Sequence, residues 1–452
     1  MHEFFHDPVL NPHDAGGGSG HSINARQFFQ PLRGESMPST EFGPSETIEA
    51  ILVDNRSDQA EQNRQEFTEK RMKGELAFEI KCGDAREVTL NPNESYVDNR
   101  IAAAINPEIA EGAFNSPAVQ FAIFVPHFDG GLFVPERMPP GCGGQGAKAE
   151  LARFGRQDEE DQLEQFISER IRHQDFIVNT MELARELARL AKRGQPVIVT
   201  PQDHRTGEVR PLVVYQKDRG IIRTIEPEGL HLPLDGQYRP EEIYADGVPF
   251  MEDEHLPENI QGYLNRYRIN LLKLKEDNPN FYDEQATQNP RFIFFSTDLK
   301  DFKVWLPHIG HRPNVGFRLT VPRRRIGADV QLSERDMLVA FAQSEYVMRE
   351  SVSHAEEPGK AFHDTRTMVI MTGNYKTSQE FALGLAQRVQ ESAHRRKKKS
   401  WLALPNRQII IGQINAGHIT KIGEVDFEVR GGELIRFEDR AYNIAGQRVP
   451  VF

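Results

Sequence analysis

Residues 118–126 read AVQFAIFVP, nine positions with Gln120 as the one polar interruption. The run is shorter than most helices and lacks the period-two alternation of a strand with one wet face, so it reads as a strand buried on both sides. A strand of that kind needs helices above and below it, which is the layout of parallel sheets joined by helical crossovers. Further apolar runs of strand length recur along the chain: Leu76–Lys81, Pro196–Thr200, RFIFFSTDLK from Arg291, GFRLTV from Gly316, Thr367–Gly373 and Arg407–Gln413. Between them lie patterns of helical period at about Ser45–Lys73, Asp158–Arg193 (closed by Gly194), Asn259–Lys275, Ser333–Arg349 and Gln379–Ala393. NPNESYVDN, from Asn91, reads as a polar loop, and Arg100–Ile105 as a short apolar stretch. The expected fold class is therefore α/β, a mostly parallel sheet flanked by helices.

At 452 residues the chain exceeds what one hydrophobic core usually serves. The order of elements repeats in the second half, with FFSTDLKDF standing where EIKCGDARE stands and QIIIGQINAGHITKIGEV where PVIVTPQDHRTGEVRPL stands. We read this as a degenerate duplication. Ser296 and Asp298 then occupy the region of Cys82 and Asp84, and no cysteine follows TMVIMTG, so the second copy has lost that chemistry. The expected divisions are a Gly- and Pro-containing arm over 1–43, a first domain over 44–225 and a second over 226–452.

The formal net charge of −12 argues against a nucleic-acid partner. One basic run, HRRKKKS from His394 to Ser400, reads as a solvated helix end in preference to a partner patch. No apolar segment approaches the length of a bilayer span, and the amino-terminal stretch does not resemble a secretory signal, so no membrane association and a cytoplasmic location are expected. Four histidines of the arm (His2, His6, His13, His21) read as exposed tail residues.

Only two cysteines occur, Cys82 and Cys142, which excludes a disulfide framework. Cys82 and His127 end two core strands, where ligands of parallel sheets collect, and Cys142 sits in a Gly-rich turn that leads into a helix. Two thiolates and an imidazole suit zinc and leave a fourth tetrahedral position for water. Asp84 and Arg86 follow Cys82 at every second position, so an ionised Asp84 held by Arg86 can turn toward whatever Cys82 binds. The alternative reading of the same residues is two buried thiols, a core histidine and a solvated Asp-Arg pair.

CGDAR (82–86), VPH (125–127), CGGQGAK (142–148) and DHRTGEV (203–209) together resemble the motif layout of β-class carbonic anhydrases over about residues 45–215. The duplicated organisation is similar to that of the carboxysome shell carbonic anhydrase, whose carboxy-terminal domain looks like an inactivated copy. The resemblance implies Zn2+ held by Cys82, His127 and Cys142, with Asp84 and Arg86 as an orienting dyad. It implies reversible hydration of carbon dioxide to bicarbonate and a proton by a zinc-bound hydroxide, with backbone N–H groups near Gly143 and Gly144 holding bicarbonate oxygens. It further implies a duplicated β-carbonic-anhydrase-like fold of one active and one degenerate domain, and the capacity to form a homo-oligomer. Two departures stand out: Cys142 follows His127 by fifteen residues where the family has His-x-x-Cys, and Ala85 replaces the commoner serine. A Gly- and Pro-rich excursion of that length closes at little entropic cost. Asp129 could compete with Cys142 for the metal, and His204 could relay protons. COS or CS2 are alternative substrates for the same site, and a catalytically inactive binding or scaffold protein is the alternative of another class.

Overall fold

The computed structural model describes residues 58–83, 89–100, 103–128, 176–203, 206–228 and 250–277 of the first half. In the second half it describes 292–296, 317–320, 323–326, 329–332, 366–370, 375–395, 399–404, 409–415, 418–430, 433–442 and 448–449, with isolated positions between these segments.

In chain order the first half runs α1 (Asp58–Lys73), β1 (Leu76–Cys82), β2 (Ser95–Arg100), α2 (Pro107–Phe114), β3 (Val119–Val125), β4 (His127–Phe128), α3 (Phe176–Arg189), β5 (Val197–Val199), β6 (Gln202–Asp203), β7 (Val213–Asp218) and β8 (Ile221–Ile225). A six-stranded sheet forms in the order β2-β1-β3-β5-β7-β8. Its first four strands are parallel, while β7 and β8 return antiparallel. The α/β class expected from the apolar runs is what forms: a mixed, mostly parallel sheet with helices.

Both faces of its four parallel strands are dry, as the unalternated AVQFAIFVP predicts. Phe78, Ile80, Ala122 and Phe124 pack with Met181, Ala184 and Leu187 of α3 and with Phe114 of α2. Ala77, Phe121, Ile123, Val125 and Ile198 pack instead under Ile260, Leu264, Leu271 and Leu274 of a later helix, α4 (Glu258–Asp277). Helix α4 thus covers the sheet formed by residues 76–225, although it lies beyond them in sequence.

β2 differs from expectation. SYVDN falls in the expected polar loop and Arg100 at the head of the expected apolar stretch, yet all six residues of SYVDNR are buried and pair in register with β1 from Ala77–Ser95 to Cys82–Arg100. Three of its polar side chains are matched, Asp98 pairing with Arg100 and Ser95 meeting a tyrosine of α4. Helix α2 starts on Asn106, whose Oδ1 accepts from the N–H groups of Glu108 (3.0 Å) and Ile109 (3.4 Å), with Pro107 in the first turn.

Gly194 closes the turn after α3 at φ +69°, and a Cβ there would lie 2.9 Å from the carbonyl oxygen of Lys217. A left-handed conformation costs a non-glycine residue about 1–3 kcal/mol, and the oxygen that blocks the Cβ is backbone. Gly194→Ala is therefore expected to lower the urea unfolding midpoint by an amount in that range, whereas Gly112→Ala, which meets nothing within 4 Å, should leave it unchanged or raise it.

In the second half, β9 (Phe292–Ser296), β10 (Phe317–Thr320), β11 (Arg323–Ile326), β12 (Asp329–Leu332), β13 (Arg366–Ile370), α5 (Tyr375–Arg395), β14 (Ile409–Asn415), β15 (His418–Arg430), β16 (Glu433–Tyr442) and β17 (Arg448–Val449) follow. A seven-stranded sheet has the order β10-β9-β13-β14-β15-β16-β17. Strands β10, β9, β13 and β14 are parallel, and β15, β16 and β17 antiparallel. Phe381, Leu385 and Val389 of α5 pack on Phe295, Ile409 and Ile411. The edge strands β2 and β10 approach one another. The basic run begins in the last turn of α5, where His394 and Arg395 face the helix's negative end and remain exposed. Among the described residues, no helix is long and apolar enough to cross a membrane.

Candidate functional site

The parallel pairing of β1 with β3 sets Lys81 beside Val125. One step further on each strand are Cys82 and Pro126. Proline has no N–H to continue the ladder, so β3 breaks there and resumes one residue later as β4. His127 opens β4, in register with Gln202 of β6. The break is bridged by backbone bonds from β5–β6, where Thr200 N–H donates to the Phe124 carbonyl and Gln202 N–H to the Pro126 carbonyl, each at 2.8 Å.

Cys82 and His127 consequently stand at the carboxyl ends of two adjacent parallel strands, and both are buried, at 5% and 2% exposure. Strand ends of this kind are where open α/β sheets bind their ligands. A thiol and an imidazole together form a donor pair that fits a borderline-soft metal such as zinc. Asp84, Arg86, Asp129, Cys142, Gly143, Gly144 and His204 lie outside the described residues. Among the described residues, no group of three or more His, Cys, Asp or Glu side chains is placed to hold a metal ion.

Two features beside Cys82 and His127 escaped the sequence reading. Arg100 is the register partner of Cys82 and shares its sheet face, since paired residues of parallel strands point the same way. Its Nε lies 2.8 Å from Asp98 Oδ1 and its Nη2 donates to Oδ2 at 3.2 Å, both residues being buried. The Arg100 carbonyl also accepts from Gly83 N–H at 3.1 Å, which fixes the first residue of the CGDAR loop after the strand. On the other side, Asp203 is buried opposite Phe128. Its N–H donates to the Glu208 carbonyl and its own carbonyl accepts from Gly207 N–H, bonds that fit the turn expected of DHRTGE, with Gly207 at φ +71°.

The opposite face of β1 carries a second polar group. Lys81 Nζ lies 2.8 Å from Glu79 Oε1, with both side chains essentially inaccessible. The hydroxyl of Tyr263 on α4 donates to Glu79 Oε2 at 3.3 Å and lies 2.8 Å from Ser95 Oγ. Burial pushes the Tyr263 phenol well above its usual value, and the Glu79 carboxylate pushes it further. The folded protein thus holds this proton more tightly than the unfolded chain. Its contribution is complete below a pH of about 10 and is lost as pH rises through the folded value. Urea midpoints measured at pH 9 and pH 11 should fall more steeply for the natural protein than for Tyr263→Phe.

The chain matches no protein-family model and no curated protein sequence.

Proposed function

We propose that the protein is a zinc-dependent carbonic anhydrase of β-like architecture, catalysing the reversible hydration of carbon dioxide to bicarbonate and a proton. The observation that carries the reading is the burial of Cys82 and His127 at the carboxyl ends of the adjacent parallel strands β1 and β3. In this reading Cys82, His127 and Cys142 hold the metal. Zinc bound by such donors supplies a nucleophile at neutral pH by lowering the pKa of water from about 15.7 to about 7. Asp84 accepts a hydrogen bond from the attacking group and aims it, and Arg86 keeps Asp84 ionised and oriented. Backbone N–H groups at Gly143 and Gly144 hold the oxygens of bicarbonate.

The shared strand order supports the duplicated architecture. β2-β1-β3-β5 followed by antiparallel β7 and β8 has its counterpart in β10-β9-β13-β14 followed by antiparallel β15 and β16. We assign residues 44–225 to the catalytic copy and 226–452 to the degenerate one, behind an arm of 1–43. In the second copy Ser296 ends β9 where Cys82 ends β1. In this reading the protein works in a cytoplasmic setting on a small-molecule substrate, and one chain is a two-copy unit, a reading supported by the β2–β10 approach, that can further self-associate.

Stopped-flow measurement of CO2 hydration on the zinc-loaded protein tests the reading. Turnover well above the uncatalysed rate, abolished by chelation and restored by zinc, is the expected result. Turnover of COS or CS2 with no hydration of CO2 would move the assignment to a hydrolase on the same residues.

A further inference from the structure

Helix α4 presents a polar stripe to the sheet it covers. Tyr263, Tyr267 and Asn270 recur at i, i+4 and i+7, one face of a helix, inside the otherwise apolar surface of Ile260, Leu264, Leu271 and Leu274. Burying hydroxyl and amide groups there is unfavourable unless each finds a partner, and phenylalanine would fill the tyrosine positions equally well as apolar bulk.

The partners are the segments around the candidate site. Asn270 Nδ2 donates to the carbonyl of Leu90 at 2.7 Å and to Asn91 Oδ1 at 3.0 Å, and Asn91 Nδ2 donates to the Tyr263 carbonyl at 3.0 Å. Leu90 and Asn91 belong to the described segment that leads into β2. Tyr267 reaches the other side: Gln202 Nε2 donates to its hydroxyl at 2.8 Å, and that hydroxyl donates to the carbonyl of Gly207 at 3.3 Å. Gln202 is the register partner of His127, and Gly207 belongs to the turn beyond it. One helix therefore grips the Leu90–Asn91 segment ahead of β2 and the strand beside His127.

We propose that α4 is the positioning helix of the site, with Asn270 and Tyr267 as positioning residues that hold the Leu90–Asn91 segment ahead of β2 and the strand next to His127. The catalytic part of this proposal rests on the carbonic anhydrase reading above. Its consequence is that residues 44–225 do not hold the site geometry without 258–277, so the helix is part of the enzyme although it follows the domain in sequence.

The test uses the full chain carrying Tyr267→Phe or Asn270→Ala, followed by amide hydrogen exchange and CO2 hydration kinetics. Tyr267→Phe should speed exchange about tenfold or more over Gln202–Val209 and leave 89–94 as it is, and Asn270→Ala should do the reverse. Each variant should keep its zinc and lose about tenfold or more in kcat, with KM changed far less, because misplaced groups cost turnover more than binding. Exchange that is unaltered, or faster throughout the sheet in both variants, would overturn the positioning role, as would local loosening with kcat intact. If the natural protein binds no zinc and hydrates no CO2, the functional reading fails, and the exchange pattern alone then decides whether α4 grips these two segments.

Discussion

Cys82→Ala is expected to remove zinc and CO2 hydration together while leaving the fold in place. The thiol sits at the last position of β1, beyond the side chains of Phe78 and Ile80 that pack the sheet against α2 and α3. Truncation to alanine deletes one buried sulfur, a loss on the order of 1 kcal/mol, because the rest of the strand keeps its pairing with β2 and β3. A three-donor zinc site, by contrast, does not survive loss of a thiolate at useful affinity. Elemental analysis, thermal unfolding and stopped-flow hydration on one preparation separate the effects. Metal and activity should vanish while the unfolding temperature falls by only a few degrees. If Cys82 is merely a packed thiol, the variant will match the natural protein in both metal content and activity.

The largest stability effect is expected three residues earlier on β1, at Glu79. Its carboxylate is the counter-charge of Lys81 and an acceptor for Tyr263, in a place from which solvent is excluded. Glu79→Ala leaves the ammonium of Lys81 buried without that counter-charge and costs Tyr263 one of its partners. Breaking one side of a buried ion pair typically costs about 3–5 kcal/mol, and that range is the expected loss in urea unfolding at neutral pH. Replacing both residues, as Glu79→Leu with Lys81→Met, removes the charge problem and should recover most of the loss. A single substitution costing under about 1 kcal/mol would mean that the pair is solvated in solution. Because neither Glu79 nor Lys81 is among the proposed ligands Cys82, His127 and Cys142, the double variant should retain zinc.

Which features were legible in the sequence follows from how each earns its burial. β1, β3, β5, β9, β13 and β14 are apolar throughout most of their length, so pattern alone located them, and the crossover helices between them implied parallel pairing. β2 was missed because SYVDNR is polar: its burial depends on Arg100 meeting Asp98 and on Ser95 meeting Tyr263, residues 168 positions apart in the chain for the latter pair. Helix α2 was passed over although Asn106-Pro107 carries a recognisable start signal, since its eight residues are too few for a clear period. The β7–β8 hairpin turns on Arg219 and Gly220, both at positive φ, and Arg-Gly is a weaker turn signal than Asn-Gly. At the candidate site, Cys82 and His127 were visible as strand ends, and register brings those ends together. The roles of Arg100, Gln202 and Tyr267 were not visible, because each depends on which strand or helix lies beside it, and periodicity carries no information about neighbours.

The central claim is that Cys82 and His127 are metal ligands of a CO2-hydrating enzyme. Zinc content of the purified full chain, measured beside CO2 hydration before and after chelation, addresses it most directly. The account predicts about one zinc per chain, hydration that disappears with the metal and returns when zinc is added back. A well-folded protein that carries no zinc after zinc reconstitution, and hydrates CO2 no faster than buffer, would contradict it.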